Sequence, residues 1–331
     1  MENNTLMPEI NAGEPEQKVR KILRRETKLK IFYACMIVLP LLHFFIYYIY
    51  INFDTVVMSF KTYFINPETN RLDSKWVGLQ NFKTIFQFFN DKPIRVIAIR
   101  NSIIFYLFKL IVGMSIALIF SFYIYKKFLF SEFFRVVLFL PNLISSILMV
   151  VLFRYIVGAM YTELTGAPQG LLSNPDTQLG TIIFFNLWLG LASQILMFSS
   201  AMSGINESIV ESAQLDGINQ IKEFWYITLP MIFPTFITFV ATGMAACFTD
   251  QMNLYTFEGP SAVEAPFSTI GYMLYVFTLN STQLSNYDST LRNPQLSYPE
   301  LTALGLLISF VTVPAVMITK RLLEKYGPSA N

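Results

Sequence analysis

From Ile31 to Ile51 the chain carries no Asp, Glu, Lys or Arg. A helix of about twenty such residues is long enough to cross a hydrocarbon layer roughly 30 Å thick. Comparable apolar runs follow at about 102–125, 133–157, 179–202, 226–248 and 301–319. Such runs restrict the fold to an all-α membrane protein of about six transmembrane helices, because each spanning helix satisfies its own backbone hydrogen bonds where no water is present. Composition agrees: 53% of the residues are hydrophobic and 14% charged, where a soluble domain carries about a quarter charged. The net charge of +2 invites no nucleic-acid partner.

Basic residues orient the runs. Lys18, Arg20, Lys21, Arg24, Arg25, Lys28 and Lys30 precede the first run. Lys126 and Lys127 close the second, and Lys320, Arg321 and Lys325 follow the last. By the positive-inside rule both termini are expected in the cytoplasm. The first run is too long for a cleaved signal peptide and lacks a small-residue cleavage site. The expected division is a cytoplasmic basic segment 1–30, a first transmembrane helix 31–60 and an external loop 61–100. A core 101–320 containing a loop 205–229 follows, then a cytoplasmic tail 321–331. A further apolar run, Phe267–Leu279, is too short to span and is expected as a short helix lying at the outer face.

Between the fourth and fifth runs stands Glu211–Pro230, with Asp216-Gly217 as a turn dipeptide. Ahead of the turn, Ile205, Ile209 and Ala213 share one helical face and Glu207 and Glu211 another; beyond it, Ile218, Ile221, Phe224 or Trp225, and Thr228 form a second apolar stripe. Pro230 suits the first turn of the next helix. The loop carries Glu207, Glu211, Asp216 and Glu223 against Lys222, an acidic balance fit to meet a basic rim on a partner. This stretch has the pattern of two short helices forming a docking surface.

Glu211-Ser212-Ala213, Gly217, Ile227 and Leu229-Pro230 stand at the spacing E-A-A-x3-G-x9-I-x-L-P, with Ser212 the one departure. The stretch resembles the signature loop of the membrane subunits of ABC importers. Trp76-Val-Gly-Leu-Gln-Asn-Phe82, Arg100-Asn101-Ser102, Phe133-Phe134-Arg135 and Phe139-Leu140-Pro141 resemble segments of the MalF-like sugar permeases. So does Phe248-Thr-Asp-Gln251 through Tyr255-Thr256 to Gly259-Pro260, although Thr249 interrupts the Phe-Asp pair and Phe257-Glu258 replace two glycines. The resemblance implies a type I ABC importer permease fold and coupling helices, carried by Glu207, Glu211, Ala213, Asp216, Gly217, Ile227, Leu229 and Pro230, that sit in a cleft of an ATPase. It also implies a second homologous permease, two ATPase subunits or domains, an extracytoplasmic solute-binding protein and a sugar substrate, in a membrane-lipid setting. ATP and Mg would be bound on the partner ATPase.

No catalytic machinery is expected in this chain. It lacks G-x-x-x-x-G-K-[ST], its single histidine is His43, and Cys35 and Cys247 form no CxxC. No cofactor or metal site is expected.

Polar groups within the spans are the candidates for contact with a solute. Asn186, Gly190, Gln194 and Met197 fall near one face of the fourth run, and Gly243, Ala246 and Asp250 align on the fifth. Small residues on such faces also serve close helix packing, and both readings stand. Asn186, Gln194, Phe248, Asp250 and Gln251 are the expected substrate contacts. Lys109, mid-span, is a pathway charge, half of a structural pair or a snorkelling side chain, and Arg154 is within reach of the outer headgroups. A stand-alone ion-driven carrier is the rival class. It would need an ion-coordinating set or inverted repeats, and neither is visible.

Overall fold

The computed structural model describes residues 14–68, 71–281 and 296–328, so the first thirteen residues and most of the segment before the last span lie outside it. It contains six helices long and apolar enough to cross a membrane: Thr27–Met58, Pro93–Tyr125, Ser146–Thr165, Pro175–Ser203, Gln220–Ala246 and Tyr298–Tyr326, here the first to sixth spans. The chain divides into two units, Met1–Met58 and Ser59–Asn331. The first unit's described part is one long helix containing a π-helical stretch, Phe44–Tyr50, and none of the span's apolar window is buried.

The second unit opens with an antiparallel hairpin, β1 (Lys61–Ile65) and β2 (Leu72–Trp76), a small departure from the all-helical expectation. Its base explains the V-G-L-x-N-F stretch. Gly78 takes φ +59°, and Asn81 Nδ2 donates to the carbonyls of Ser59 (2.7 Å) and Lys61 (2.8 Å). Phe60 stacks on Trp76 with ring centroids 5.8 Å apart. A buried asparagine holding two carbonyls fixes the corner that the hairpin turns on.

The spans begin and end differently from the hydropathy reading. The second starts at Pro93, ahead of the expected boundary at 101, with Pro in the first turn where no donor is lost. The expected third run from Phe133 is two helices, Ser131–Leu143 and Ser146–Thr165. Pro141 removes one backbone donor, and Ile144 is extended (φ −98°, ψ 142°), which breaks the rod. The helix continues to Thr165, so the expected loop from 158 starts late, closed by Gly166 at φ +67°. The short helix expected over Phe267–Leu279 spans Ile270–Ser281 and packs one side into this unit: Ile270, Tyr272, Met273, Val276 and Phe277 are buried, and Tyr275 and Leu279 are exposed.

The main apolar core joins the second, fourth and fifth spans through Met114, Ala117, Leu118, Ile195, Phe198, Met202, Ile232 and Val240. Small residues let the second and fourth spans approach, and Ser121 Oγ donates across to the Ile195 carbonyl at 3.1 Å. A second cluster packs Ile270, Met273 and Phe277 against Ile85, Phe88, Ala98, Leu301 and Leu304.

Candidate functional site

Two regions carry chemistry, one at each end of the fifth span. The first is the loop 204–230. Asn206 caps the helix Glu207–Leu215 by accepting from Ser208 N, and Val210 and Ala213 root it in the core. The helix ends in a Schellman motif: Gly217 N donates to the Gln214 carbonyl (3.0 Å) and Ile218 N to the Ala213 carbonyl (3.2 Å). Gly217 stands at φ +77°, and a Cβ there would meet nothing within 4 Å. The requirement for glycine is therefore conformational and does not arise from crowding. Asn219 then caps the next helix through Lys222 N.

That second helix is not a separate short element. Gln220–Ala246 is continuous, so the loop's second helix is the opening of the fifth span. Pro230 lies inside this helix and does not begin a new one. The π-helical turn Phe224–Thr228 just ahead of it widens the backbone where a proline would otherwise crowd the preceding turn. The turn also rotates the faces. Of the expected stripe, Phe224 and Thr228 turn inward and Ile221 and the alternative Trp225 are exposed, while Glu223, not on the stripe, is buried. On the first helix Val210, not Ile209, points inward.

Glu223, counted by charge among the outward acids, is 1% exposed and ion-paired with Lys126 at the end of the second span. Phe224 meets Phe122 edge-on beside it at 5.2 Å. What remains outside is an apolar and acidic face: Leu215, Ile221, Trp225 and Tyr226 are each at least 60% exposed, and Glu207, Glu211 and Asp216 are also exposed. Ile227, Leu229 and Pro230 are half-buried along the helix that carries this face. Four large apolar side chains left in the open at one loop are characteristic of an interaction surface.

The second region is a half-open cavity of about 50 Å³ between the second, fourth and fifth spans and the segment that follows the fifth. Tyr106, Lys109, Gln194, Gly243, Asp250 and Thr269 line it. Lys109 Nζ lies 3.8 Å from Asp250 Oδ2. Asp250 Oδ1 accepts from Met252 N at 2.9 Å, which fixes the carboxylate at the helix end. Gly271 packs onto the same backbone so closely that a Cβ would sit 2.3 Å from the Asp250 carbonyl oxygen. Asn101 Nδ2 donates to the carbonyls of Pro266 (2.7 Å) and Ser268 (2.9 Å), and Ser102 Oγ accepts from Ile270 N (3.1 Å). The Arg-Asn-Ser stretch therefore clamps the loop that follows Asp250.

Of the five expected substrate contacts, the structure brings Gln194 and Asp250 to this cavity. Asn186 is committed elsewhere: its Nδ2 donates to the Met252 carbonyl and its Oδ1 accepts from Asn253, both at 2.9 Å. Phe248 packs against the cluster around Ile270 and Met273, and Gln251 is absent from the lining. Tyr106 and Lys109 are among the lining residues that the sequence reading left out of the set. Arg154 is exposed, and its Nη1 donates to the Phe257 carbonyl at 2.6 Å, at the end of the short helix Leu254–Glu258. Among the described residues no His, Cys, Asp and Glu cluster could hold a metal ion.

At the far end of the second span Glu264 receives Lys92 Nζ (2.6 Å) and Arg95 Nη2 (3.0 Å). The Lys92 hydrogen bond, and then Arg95, hold its carboxyl below the ordinary glutamate range against partial burial. Arg95 itself is buried, donates to the Phe88 carbonyl and lies 3.7 Å from the centre of the Phe88 ring.

Six spans, a docking loop continuous with one of them and a cavity between three that holds a Lys–Asp pair define a multi-pass membrane permease. The family model described as binding-protein-dependent transport system inner membrane component matches residues 109–328, and the chain belongs to that family. It is thus an inner-membrane transport subunit of the ABC class and not an enzyme, which sets aside the stand-alone carrier. The chain is 25% identical over 244 residues to the arabinooligosaccharides transport system permease protein of Bacillus subtilis, covering 70% of this chain and 74% of that one. It is 30% identical to a probable ABC transporter permease of Mycoplasma genitalium, covering 66% and 67%. A polygalacturonan/rhamnogalacturonan transport system permease of Bacillus subtilis is 21% identical over 94% of this chain and 93% of its own. Among solved structures, a chain of a bacterial ABC transporter importing the acidic polysaccharide alginate superposes with TM-score 0.69 at 18% identity, covering 93% and 99%. The fold is that of an ABC importer permease.

Proposed function

We propose that this chain is one permease subunit of an ATP-driven, solute-binding-protein-dependent importer of sugars, with oligosaccharides as cargo. The observation that carries the reading is the loop Glu211–Pro230, which leaves its large apolar side chains in the open while its second helix runs unbroken into the fifth span. A protein seated on that face moves a membrane helix directly. The partner is an ATPase subunit, which binds the ATP and Mg, and the chain supplies one wall of the translocation pathway. A second homologous permease, a second ATPase and an extracytoplasmic binding protein complete the assembly, with both termini of this chain in the cytoplasm.

The sugar assignment is supported by relatives named for arabino-oligosaccharides and pectic polysaccharides, and by the lining chemistry. Asp250, Lys109 and Gln194 offer hydrogen bonds to hydroxyls, and Tyr106 offers a ring face to the C–H side of a pyranose. The cavity's 50 Å³ is well below the roughly 300–1,000 Å³ of a ligand pocket. A sugar would therefore enter only when the spans part, or against a wall from the second permease.

The test is reconstitution with a second permease, an ATPase and a binding protein, followed by uptake of labelled oligosaccharides. ATP-dependent uptake that falls together with ATPase binding in Glu211→Lys is expected. Uptake lost in that variant while ATPase binding and stimulation stay complete would refute the assignment of the loop.

A further inference from the structure

Resting on the sugar-permease reading, we propose that Lys109 is a cargo-contacting residue, and that its opposition to Asp250 makes the cavity select uncharged, hydroxyl-rich cargo over uronates. The relatives leave this open, since their names cover both neutral and acidic polysaccharides.

Several independent features meet at Lys109. It opens a π-helical turn, Lys109–Gly113, inside the second span, and single π turns within helices recur at functional sites. Facing it, Gly190 clears the fourth span: a Cβ there would lie 3.7 Å from Lys109 Cε, so the lysine stem runs over a bare stretch of helix. The ammonium stands 3.8 Å from Asp250 Oδ2, and both side chains are 40% exposed. That separation exceeds the roughly 2.7–2.9 Å of a charge-assisted hydrogen bond. The two groups attract without bonding, and among the described residues the ammonium has no hydrogen-bond partner. Gln194, 9% exposed, lines the same space with Oε1 buried and without a hydrogen-bond partner.

Opposite charges this close act differently on ions and on hydroxyls. A carboxylate brought to Lys109 meets Asp250 at nearly the same range, so attraction and repulsion largely cancel, and a carboxylate has no proton to give Asp250. A hydroxyl accepts from Lys109 while donating to Asp250 or Gln194, so its contacts add. A cation is disfavoured by Lys109 in the same way that a uronate is by Asp250. The cavity thus suits polyols with no net charge.

The test uses the complete transporter in nanodiscs, held with a non-hydrolysable ATP analogue so that the spans part, and without the binding protein, so that delivery imposes no selection. The probes are a neutral arabino-trisaccharide and a trigalacturonide, with dissociation constants read by ligand-observed NMR. Wild type should bind the neutral probe at least tenfold more tightly. Asp250→Asn should close that gap by tenfold or more, with galacturonide binding that weakens as salt rises. Lys109→Gln should weaken the neutral probe about fivefold and leave the galacturonide excluded. In the double variant Lys109→Gln/Asp250→Asn both charges are gone, and the salt-sensitive component should vanish. Galacturonide binding as tight as neutral binding in wild type would overturn the proposal while leaving the sugar-permease reading intact, and so would selectivity unchanged in both single variants. If the single variants fail to assemble, the wild-type and double-variant comparison still decides it. Binding of neither probe to any form would remove the sugar reading, and this proposal with it.

Discussion

Lys126, at the end of the second span, reaches the carboxylate of Glu223, buried in the first turn of the fifth. Lys109 and Asp250 join the same two spans at the cavity. Seventeen residues separate the two lysines, about 25 Å at 1.5 Å per residue. The coupling loop and the cavity therefore share two helices that are tied by charge at two levels, near both ends of the fifth span and at the middle and end of the second. A displacement of Glu223 reaches the second span without passing through a flexible connection.

Removing one partner of the inner pair leaves the other charge buried. Lys126→Met should destabilise the protein by about 3–5 kcal/mol, because Glu223 has lost its counter-charge and remains shielded from water. The exchange Lys126→Glu/Glu223→Lys should recover part of that loss. Thermal unfolding of the purified permease complex measures the first effect. The ratio of sugar transported to ATP hydrolysed measures whether the tie also transmits motion. A Lys126→Met protein as stable and as well coupled as wild type would show the pair to be incidental.

At Gly217 the structure separates conformation from crowding. A Cβ meets nothing there, so Gly217→Asn, which tolerates positive φ, should retain most coupling. Gly217→Val should lose stability of the turn by roughly 1–2 kcal/mol and reduce ATPase docking several-fold, since a β-branched residue resists that region. Co-purification of the ATPase with each variant reads the difference, and equal behaviour of Asn and Val would contradict it.

Gly271 presents the reverse case. A Cβ would press to 2.3 Å on the carbonyl oxygen of Asp250, backbone against backbone. Gly271→Ala should shift the Asp250 loop and lower both assembly and uptake, whereas Gly305→Ala, where a Cβ meets nothing, should be silent. Expression, size-exclusion profile and uptake for the two variants make the comparison.

Topology follows from the basic flanks. With Cys35 and Cys247 replaced, single cysteines near 170 and 260 should react with an impermeant thiol reagent in intact cells, and one near 215 only after the cells are opened. The opposite pattern would invert the proposed orientation.

The Lys92–Glu264–Arg95 contact gives a pH dependence of definite sign. Its carboxyl sits below the ordinary value of 4.5, so the contact's stabilisation is complete above that value and is lost as pH falls through the lower, folded value. Hydrogen exchange in the loop 259–269 should be unchanged from pH 8 to 5 and should rise below 4.5 after correction for the intrinsic rate. In Glu264→Gln it should already be raised at neutral pH. A flat profile in the native protein would rule the contact out as a fastening.

The sequence by itself determined the class of fold, the number of spans and the turn of the coupling loop. These follow from local physics: run length against bilayer thickness, and Gly at a helix end. It also identified Gln194 and Asp250 as polar groups where lipid favours apolar ones. Tertiary structure alone decided which of the other polar groups face the cavity. The π turns at Lys109 and Phe224 shift the phase of the second and fifth spans, so a face projected at a fixed 100° per residue runs from exposed Ile221 to buried Thr228 and conceals Glu223. Asn186 has the chemistry of a sugar contact, but its amide is occupied by Met252 and Asn253, distant in sequence. Lys126 with Glu223, and Lys109 with Asp250, are pairings between separate helices, set by rotation and depth in the packed bundle, which no local pattern along the chain encodes.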